Sequence, residues 1–449
     1  MTAKDQAPGD TGQPPGDTGQ VVEDTREVVP LLEPRDGLPP VVETAEELER
    51  VTRAMAAGTG PVAVDAERAS GYRYGHRAYL VQLRRAGAGT ALIDPISCPD
   101  LSGLDAALAE TEAVLHAASQ DLPCLAELNY RPRMLFDTEL AGRLLGFPRV
   151  ALGTLVETVL GLHLEKGHSA ADWSTRPLPM EWLRYAALDV EVLIELRDAL
   201  ADMLNAQGKM DWARQEFAAV LNAAPPAPRP DPWRRTSGIH RVRSRRSLAI
   251  VRELWEQRDK IAQDMNLSPG RVLPDAAIVE AARALPTSNA TLTKIPGFTG
   301  RVARKHLPEW LGAVRQARAL PESALPDTGG ATVASGPPPT HRWAERDPAA
   351  AARLVAVRAT VADLAAEHTM PAENMLPPDA VRRISWEPPD PPDPLAVEAA
   401  LAGYGARPWQ RALAAGPIAA AIEDPGAHGA TIAHPAVIQQ ADTEPETEA

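Results

Sequence analysis

Two carboxylates lie two residues apart where an apolar run ends, a spacing that can place both on one face of a β-strand. Asp65 closes the run 61–65, and Glu67 follows it. Side chains at positions i and i+2 of a strand point to the same side. Two like charges gathered and buried there are costly unless a cation balances them. The pair therefore indicates a metal site, unless the strand ends first and both acids lie in solvent.

A phenol and a carboxylate are separated by four residues in a segment with helical character. Tyr185 and Asp189 both lie in the stretch 180–193. In a helix, side chains at i and i+4 come within about 5–6 Å at their Cβ atoms. The two groups therefore share one face, although an amphipathic helix that buries Tyr185 in a core has the same spacing.

A histidine and an aspartate lie five residues apart, where a strand-like run passes into a predicted helix. These are His116 and Asp121. An acid at a helix N-terminus commonly caps the first turn, and a lone histidine is more often packed than bound to substrate. Taken alone, this pair does not indicate a function.

The elements that must position these groups can be predicted from local patterns. Thr44 and Glu47 have the spacing of a capping box that opens a helix, and Gly58 lies just past its end. Strand-like runs follow at residues 61–65, 78–83, 91–94 and 113–116, and the pattern is then mainly helical to about residue 216. Strands first, then strand–helix alternation, predict an α/β domain with a mixed sheet.

The chain is acidic overall, but its charge is unevenly distributed. Its 449 residues have a formal net charge of −14, which is unusual for a protein that binds nucleic acid. Residues 233–320, however, contain 17 Arg and Lys against 7 Asp and Glu. A basic module is therefore linked to an acidic one, which is compatible with a nucleic-acid substrate.

Targeting and redox signals point to the cytoplasm. No run approaches the roughly 18 apolar residues of a membrane span, and the polar start of the chain does not resemble a secretory signal. The only two cysteines, Cys98 and Cys124, lack the spacing of a zinc site or a disulfide framework. We therefore expect a cytoplasmic protein that does not bind membranes.

Taken in chain order, the three pairs resemble the three exonuclease motifs of the DEDD superfamily, in the branch that carries a tyrosine. The stretches 136–139, 166–178 and 184–190 resemble ribonuclease D in particular, and the resemblance covers residues 41–216 nearly continuously. It implies a 3′→5′ exonuclease domain with a ribonuclease H-like mixed sheet and helices. One position departs from the family, since Gln120 stands where ribonuclease D proteins often have an acid.

The resemblance also implies the chemistry of the site. Hydrolysis of a phosphodiester needs an activated water and stabilised oxygen charges, and two divalent cations about 3.5–4 Å apart can provide both. Mg²⁺ and Mn²⁺ prefer oxygen ligands. By resemblance, the two metal ions are held by Asp65, Glu67, Asp121 and Asp189. Tyr185 would orient the attacking water, since a pKa near ~10 suits a positioning group better than a base.

Two helical segments follow the exonuclease region. Residues 245–320 resemble the HRDC domain, a small helical bundle that helps bind nucleic acid, on the residues 255–259, 269–275 and 295–298. Residues 346–422 contain a weak repeat of the same pattern and are predicted to form a divergent second copy that packs on the other domains. The copy is less basic, so we expect it to shape the RNA path rather than to bind strongly.

These patterns together predict the domain organisation and the substrate contacts. The predicted order is a disordered tail (1–40), an α/β exonuclease domain (41–216), a linker (217–244), an HRDC domain (245–320), a linker (321–345), a second all-α HRDC-like domain (346–422) and an acidic tail (423–449). The residues predicted to contact substrate are His116, Lys166, Arg176, Arg245, Lys294, Arg301 and Lys305. In the loop 166–178, an internal Asp–Arg bridge with tryptophan packing explains the same residues equally well.

The function predicted from the resemblance is a metal-dependent 3′→5′ exoribonuclease of the ribonuclease D type. It would trim RNA with a free 3′ end, tRNA precursors first, and release 5′-mononucleotides. Two alternatives stay open at this stage. The same carboxylates serve DNA 3′→5′ exonucleases, and a scaffold that has lost catalysis could act as an RNA-binding adaptor, although all four acids and the tyrosine are intact. Protein partners are not indicated.

Overall fold

The computed structural model describes residues 28–165, 167–168, 170–225, 227–328 and 336–429. The predicted α/β domain and the two all-α segments are confirmed. The strands are β1 (Val29–Leu31), β2 (Val41–Val42), β3 (Thr59–Arg68), β4 (Ala78–Ala86), β5 (Gly89–Ile93), β6 (Glu112–Leu115), β7 (Met134–Asp137) and β8 (Leu162–Leu164). The helices of the first domain are α1 (Ala45–Ala57), α2 (Ser102–Ala107), α3 (Leu122–Glu127), α4 (Thr138–Leu144), α5 (Leu152–Leu160), α6 (Met180–Glu191), α7 (Leu193–Ala206) and α8 (Met210–Leu221).

Six strands form one mixed sheet in the order β2-β5-β4-β3-β6-β7. Strand β3 lies inside it, antiparallel to β4 and parallel to β6. Its apolar residues Val62, Ala63 and Val64 are at most 1% exposed. The strand continues to Arg68, with Asp65 opposite Gln82 and Glu67 opposite Leu80 on β4. Both acids therefore lie within the strand, and the alternative in which the strand ends before them is wrong.

The start of helix α1 has the predicted cap. The Thr44 side chain accepts a hydrogen bond from the Glu47 backbone N–H, the Glu47 side chain returns to the Thr44 N–H, and Gly58 follows the last residue of the helix. At both ends of this helix, residues close in sequence thus form hydrogen bonds with backbone groups.

The predicted N-terminal tail is too long. Residues 1–27 lie outside the described part of the chain, but residues 28–40 are placed on the α/β domain. Strand β1 pairs in parallel with β8, with Val29 opposite Leu162, and Arg35 forms ion pairs with Glu191 and Glu195 of the α6–α7 region. The apolar residues of β1 and a distant pairing partner order this segment, and local composition does not reveal such a partner.

The basic segment forms a separate helical bundle with its own apolar core. Its helices are α9 (Arg245–Met265), α10 (Pro269–Val272), α11 (Asp275–Ala284), α12 (Asn289–Leu292), α13 (Arg301–Lys305) and α14 (Leu307–Ala319). The predicted linker 217–244 is wrong at both ends. Helix α8 continues to Leu221, while Trp233 and Val242 are buried in the core of the bundle. The predicted acidic tail (423–449) begins too early, since residues 425–429 are helical, and residues 430–449 lie outside the described residues.

The third segment packs directly on the α/β domain, and apolar residues of the two form one continuous cluster. Its helices are α15 (Trp343–Arg346), α16 (Pro348–Glu367), α17 (Ala372–Met375), α18 (Pro378–Trp386), α19 (Pro394–Gly403), α20 (Pro408–Glu423) and α21 (Pro425–Gly429). Trp212 of α8 stacks on Trp409 of α20 at 4.7 Å between ring centroids. The buried Lys209 ammonium donates to the carbonyls of Leu144 and His368, one on each side of the interface.

In the part of the chain that the structure describes, we find no helix with the length and apolar character needed to cross a membrane.

Candidate active site

Three of the predicted metal ligands converge where strand β3 meets helix α6. One carboxylate oxygen each from Asp65, Glu67 and Asp189 can be chosen so that all three lie within 4.8 Å of one another. Asp65 and Glu67 come from β3, and Asp189 comes from the last turn of α6. Tertiary packing thus brings together acids that are more than a hundred residues apart in sequence.

The fourth acid, Asp121, precedes helix α3 and is 5% exposed. It does not cap this helix through its side chain, so the helix-cap explanation of its position is wrong. Its Oδ1 atom lies 3.3 Å from Nη2 of Arg68 as an ion pair, yet it is buried without a hydrogen bond. The segment before it is anchored by Asp137, whose carboxylate accepts from the backbone N–H groups of Ala117 and Ala118.

The electrostatics of this cluster demand a compensating charge. Burial raises the pKa of Glu67 to about 10, and the neighbouring Asp65, Asp189 and Asp121 add to the rise. Burial, with the Asp65 charge, also raises the pKa of Asp121 to about 8 against the opposing effect of Arg68. The pKa values of Asp65 and Asp189 are raised by burial as well. At neutral pH the acids cannot all ionise without a cation.

A divalent metal ion fits this cluster. The donor set consists only of carboxylate oxygens, which hard cations such as Mg²⁺ and Mn²⁺ prefer. An oxygen of Asp121 is buried without a hydrogen bond, and each of the four acids has a raised pKa that a nearby positive charge would lower.

Tyr185 lies on α6, one turn before Asp189, as its spacing predicts. Its hydroxyl hydrogen-bonds Asp189, and its ring meets the edge of the His168 ring at 5.9 Å between centroids. Burial, followed by the charges of Asp189 and Glu67, raises the pKa of the phenol well above its usual value. The group therefore stays protonated at neutral pH and can donate a hydrogen bond, but it cannot act as a base.

These groups line one cavity of about 640 Å³. His116 is on its wall, where Nδ1 lies 2.9 Å from the Thr138 hydroxyl. Burial lowers the pKa of His116 to about 4, so the ring is neutral at pH 7. It can therefore contact a substrate through a hydrogen bond but not through charge. The first residues of α5, Leu152 to Thr154, line the same cavity.

The loop before α6 is held by an internal ion pair. The Arg176 guanidinium donates two 2.8 Å hydrogen bonds to Asp94 and further ones to the carbonyls of Trp173, Thr175 and Tyr79. The predicted contact of Arg176 with substrate phosphates is therefore corrected, because its donors are used within the fold. The Asp–Arg bridge exists, but its acid is Asp94, which lies outside the loop 166–178. Lys166 lies outside the described residues.

Breaking this ion pair is expected to destabilise the domain. Asp94 is 2% exposed, and removal of one partner from a buried pair leaves an uncompensated charge. We expect Arg176→Leu to lower the free energy of unfolding by about 3 kcal/mol, measured by urea denaturation at pH 7. The matched control is Arg184→Leu, whose more exposed pair with Glu33 should contribute less than about 1 kcal/mol.

The effect of Arg176→Leu should also depend on pH. Burial opposes ionisation of Asp94, but the hydrogen bonds from Arg176 and Ile96 outweigh it and hold the pKa of Asp94 below its usual value. An acid whose pKa is lowered in the folded protein stabilises the fold at pH values above its pKa in the unfolded chain. This contribution is lost as the pH falls through the pKa of the acid in the folded protein. The difference in the free energy of unfolding between the unmodified protein and Arg176→Leu should therefore narrow below about pH 4. A loss of stability that is equal for Arg176→Leu and Arg184→Leu, or independent of pH, contradicts this account.

The remaining predicted substrate contacts lie on the basic helical bundle. Arg245 donates to the carbonyls of Leu325 and Pro326 and pairs with Asp327, so it ties the end of the bundle to its start. Lys294, which precedes α13, and Arg301 and Lys305 at the two ends of α13 are all exposed. Their contact with RNA stays a prediction.

Sequence reasoning missed Arg68, which stands directly after the first motif and lines the cavity that contains the four acids. Its position next to Glu67 was a usable signal, but an arginine at the end of a strand is ordinarily solvent-exposed. Asp137, which fixes the backbone before Asp121, was also missed, since its partners are backbone groups about 20 residues earlier.

Comparison with known proteins gives consistent results along the chain. Residues 39–205 match the family model described as 3′–5′ exonuclease, and residues 247–314 match the HRDC domain model. Residues 336–422 match a model described as 3′ to 5′ exonuclease C-terminal domain, so the third segment is helical as predicted but carries a different description from the HRDC domain.

Curated relatives and solved structures resemble the chain over most of its length. Ribonuclease D of Gluconacetobacter diazotrophicus is 34% identical over 64% of this chain and 74% of that protein. A protein of Bifidobacterium adolescentis of known structure is 38% identical, with a TM-score of 0.81 over 88% of this chain and all of that one. Escherichia coli RNase D, described as an exoribonuclease involved in structured RNA processing, is 26% identical with a TM-score of 0.58 over 77% of this chain and 89% of its own.

Proposed function

Because this chain belongs to the ribonuclease D family, it is a 3′→5′ exoribonuclease, and we propose that its carboxylate cluster removes nucleotides from RNA with a free 3′ end. The products are 5′-mononucleotides, and the substrate class is structured RNA with a short unpaired 3′ tail, tRNA precursors first. The observation that carries this proposal is the convergence of Asp65, Glu67 and Asp189 within 4.8 Å, with Asp121 and Tyr185 in the same cavity.

We propose that the four carboxylates hold two divalent cations, Mg²⁺ or Mn²⁺. When bound, such ions activate the attacking water and neutralise charge on the phosphoryl and leaving oxygens. The carboxylates fix the position of this charge because β3, α3 and α6 are anchored in the domain core. Burial excludes bulk water from their surroundings and so strengthens the electrostatic effect.

The other residues of the cavity orient the reactants. Tyr185 stays protonated; its hydroxyl donates to the Asp189 carboxylate and accepts a hydrogen bond from the attacking water, which places the water for in-line attack. His116, neutral at pH 7, contributes a hydrogen-bonding wall. We further propose that Lys294, Arg301 and Lys305 of the HRDC bundle contact RNA phosphates outside the cavity, which adds affinity without sequence preference.

The test is shortening of a 3′-tailed RNA labelled at its 5′ end, with Mg²⁺, with Mn²⁺ and with EDTA. Stepwise shortening from the 3′ end that EDTA abolishes is the expected result. A matched DNA oligonucleotide is the control for polymer class, and faster loss of the DNA would favour the DNA exonuclease. Tight RNA binding without shortening in either metal would favour the adaptor and contradict the proposal.

Metal binding should release protons. At pH 7 the raised pKa values of Glu67 and Asp121, about 10 and about 8, mean that these acids carry protons, which a cation must displace. We therefore expect proton release on Mn²⁺ binding, and an affinity that rises with pH. Calorimetric titration in buffers of different ionisation enthalpy measures the release; the same heat in every buffer would contradict it.

A further inference from the structure

The catalytic cavity contains one cationic side chain that no motif accounts for. Among the described residues that line it, Arg68 is the only lysine or arginine. The remaining titratable groups are the four acids, Glu165, Tyr185 and the neutral His116. Among these described residues, Arg68 is therefore the single positive side chain that an RNA backbone can meet at the carboxylates.

Arg68 is held in place by the residues of the second motif. Its Nη1 donates to the Gln120 carbonyl at 2.8 Å, and its Nη2 lies 3.5 Å from Gln120 Oε1 and 3.3 Å from Asp121 Oδ1. The side chain is 27% exposed. A guanidinium has five N–H donors in a rigid fork, so donors are left for a ligand in the cavity while the carbonyl fixes the direction of the group.

Gln120, the neutral residue that contacts Arg68, does not neutralise the charge of the guanidinium. Gln120 stands where an acid is frequent in this family, and an acid there would form a second ion pair with the guanidinium. The amide contacts Arg68 without neutralising it. Within the described part of the chain, Asp121 is then the only acid in an ion pair with Arg68, and Asp121 is also a proposed metal ligand. A cation bound to Asp121 would weaken its hold on the guanidinium.

We propose that Arg68 binds a phosphate of the RNA next to the cleaved bond and so completes the substrate site of the cavity; this rests on the proposed function. Guanidinium groups bind phosphate through two parallel charge-assisted hydrogen bonds, which fix orientation as well as adding affinity. The first residues of α5 line the same cavity, and their backbone N–H groups, which a helix leaves without internal partners, add positive potential near the RNA.

The test is RNA binding rather than turnover. The full chain carrying Asp189→Asn, which keeps the RNA intact, is compared with the same protein carrying Arg68→Gln, Arg68→Lys or Arg53→Gln. The matched control Arg53 is a 70% exposed arginine of α1, whose loss changes the net charge equally. The probe is an RNA trinucleotide in Mg²⁺ buffer, short enough to limit contacts with the HRDC bundle, and its affinity is measured across a salt series.

Arg68→Gln should weaken binding about tenfold and make the plot of log affinity against log salt shallower by about 0.7, the value for one phosphate contact on a single strand. Arg68→Lys should keep the slope and lose less affinity, and Arg53→Gln should change neither.

Unchanged affinity for Arg68→Gln would overturn the proposal and favour the α5 N-terminus as the phosphate contact. A loss of affinity with an unchanged slope and a lower melting temperature would also overturn it, since that is a structural role. Because binding is read directly, absence of hydrolysis by the unmodified protein would overturn the proposed function without obscuring this result.

Discussion

Replacement of Asp189 by asparagine is expected to lower the rate of 3′ shortening by about 10³-fold or more. Asparagine keeps the shape of the side chain but cannot supply an anionic oxygen, so the cluster loses one of the three acids that converge within 4.8 Å. Removal of a single electrostatic contact in an active site commonly costs about 10²–10³ in rate, and here the position of a cation is lost as well. The measurement is the initial rate of loss of the terminal nucleotide in Mg²⁺.

Two controls separate this effect from misfolding. Asp211→Asn makes the same chemical change at an 81% exposed side chain of α8 and should leave the rate within about twofold. In EDTA, Asp189→Asn should melt at the same temperature as the unmodified protein or higher, since it removes a half-buried acid whose pKa is raised by loss of hydration. Shortening at an undiminished rate by Asp189→Asn would remove the carboxylate cluster from the mechanism.

Replacement of Tyr185 by phenylalanine is expected to lower kcat by about 10²-fold or more with little change in KM. The phenyl ring keeps the packing against His168, but the hydroxyl that hydrogen-bonds Asp189 is lost. Since the phenol is protonated at neutral pH, its loss removes an orienting group and not a base. The shape of the pH–rate profile should therefore be unchanged.

The variant should still bind metal, which distinguishes positioning of the water from ligation. Proton release on Mn²⁺ binding should persist in Tyr185→Phe and should be altered in Asp189→Asn. Tyr404→Phe is the matched control and should keep the full rate, since Tyr404 directly follows helix α19 of the third segment. Equal rates for Tyr185→Phe and the unmodified protein would show that the phenol has no part in catalysis, and a shifted pH optimum would make it a proton-transfer group instead.

Local patterns predicted the elements that carry the site because each depends on near neighbours. The alternation around Asp65 and Glu67 predicted a shared strand face, and the four-residue interval from Tyr185 to Asp189 predicted a shared helix face. The capping box at Thr44 forms as predicted, since its partners are three residues apart. The resemblance over residues 41–216 then supplied the order in which these pieces combine.

Other features escaped prediction because their partners are remote in sequence. Arg176 was expected to contact phosphate, yet its acid lies 82 residues earlier. Strand β1 was assigned to a tail because its partner β8 lies more than 130 positions later in the chain. No local pattern identifies such partners, since only the packed fold decides which groups are close enough to satisfy one another.

By itself, the sequence determined the residue types of the site, their local faces and the family to which the chain belongs. Tertiary structure alone decided which of these groups meet. The sheet and α6 bring Asp65, Glu67 and Asp189 together, and β3 also carries Arg68 to Asp121. The physical reason is that charge interactions depend on distance and burial, and these follow from packing rather than from spacing along the chain.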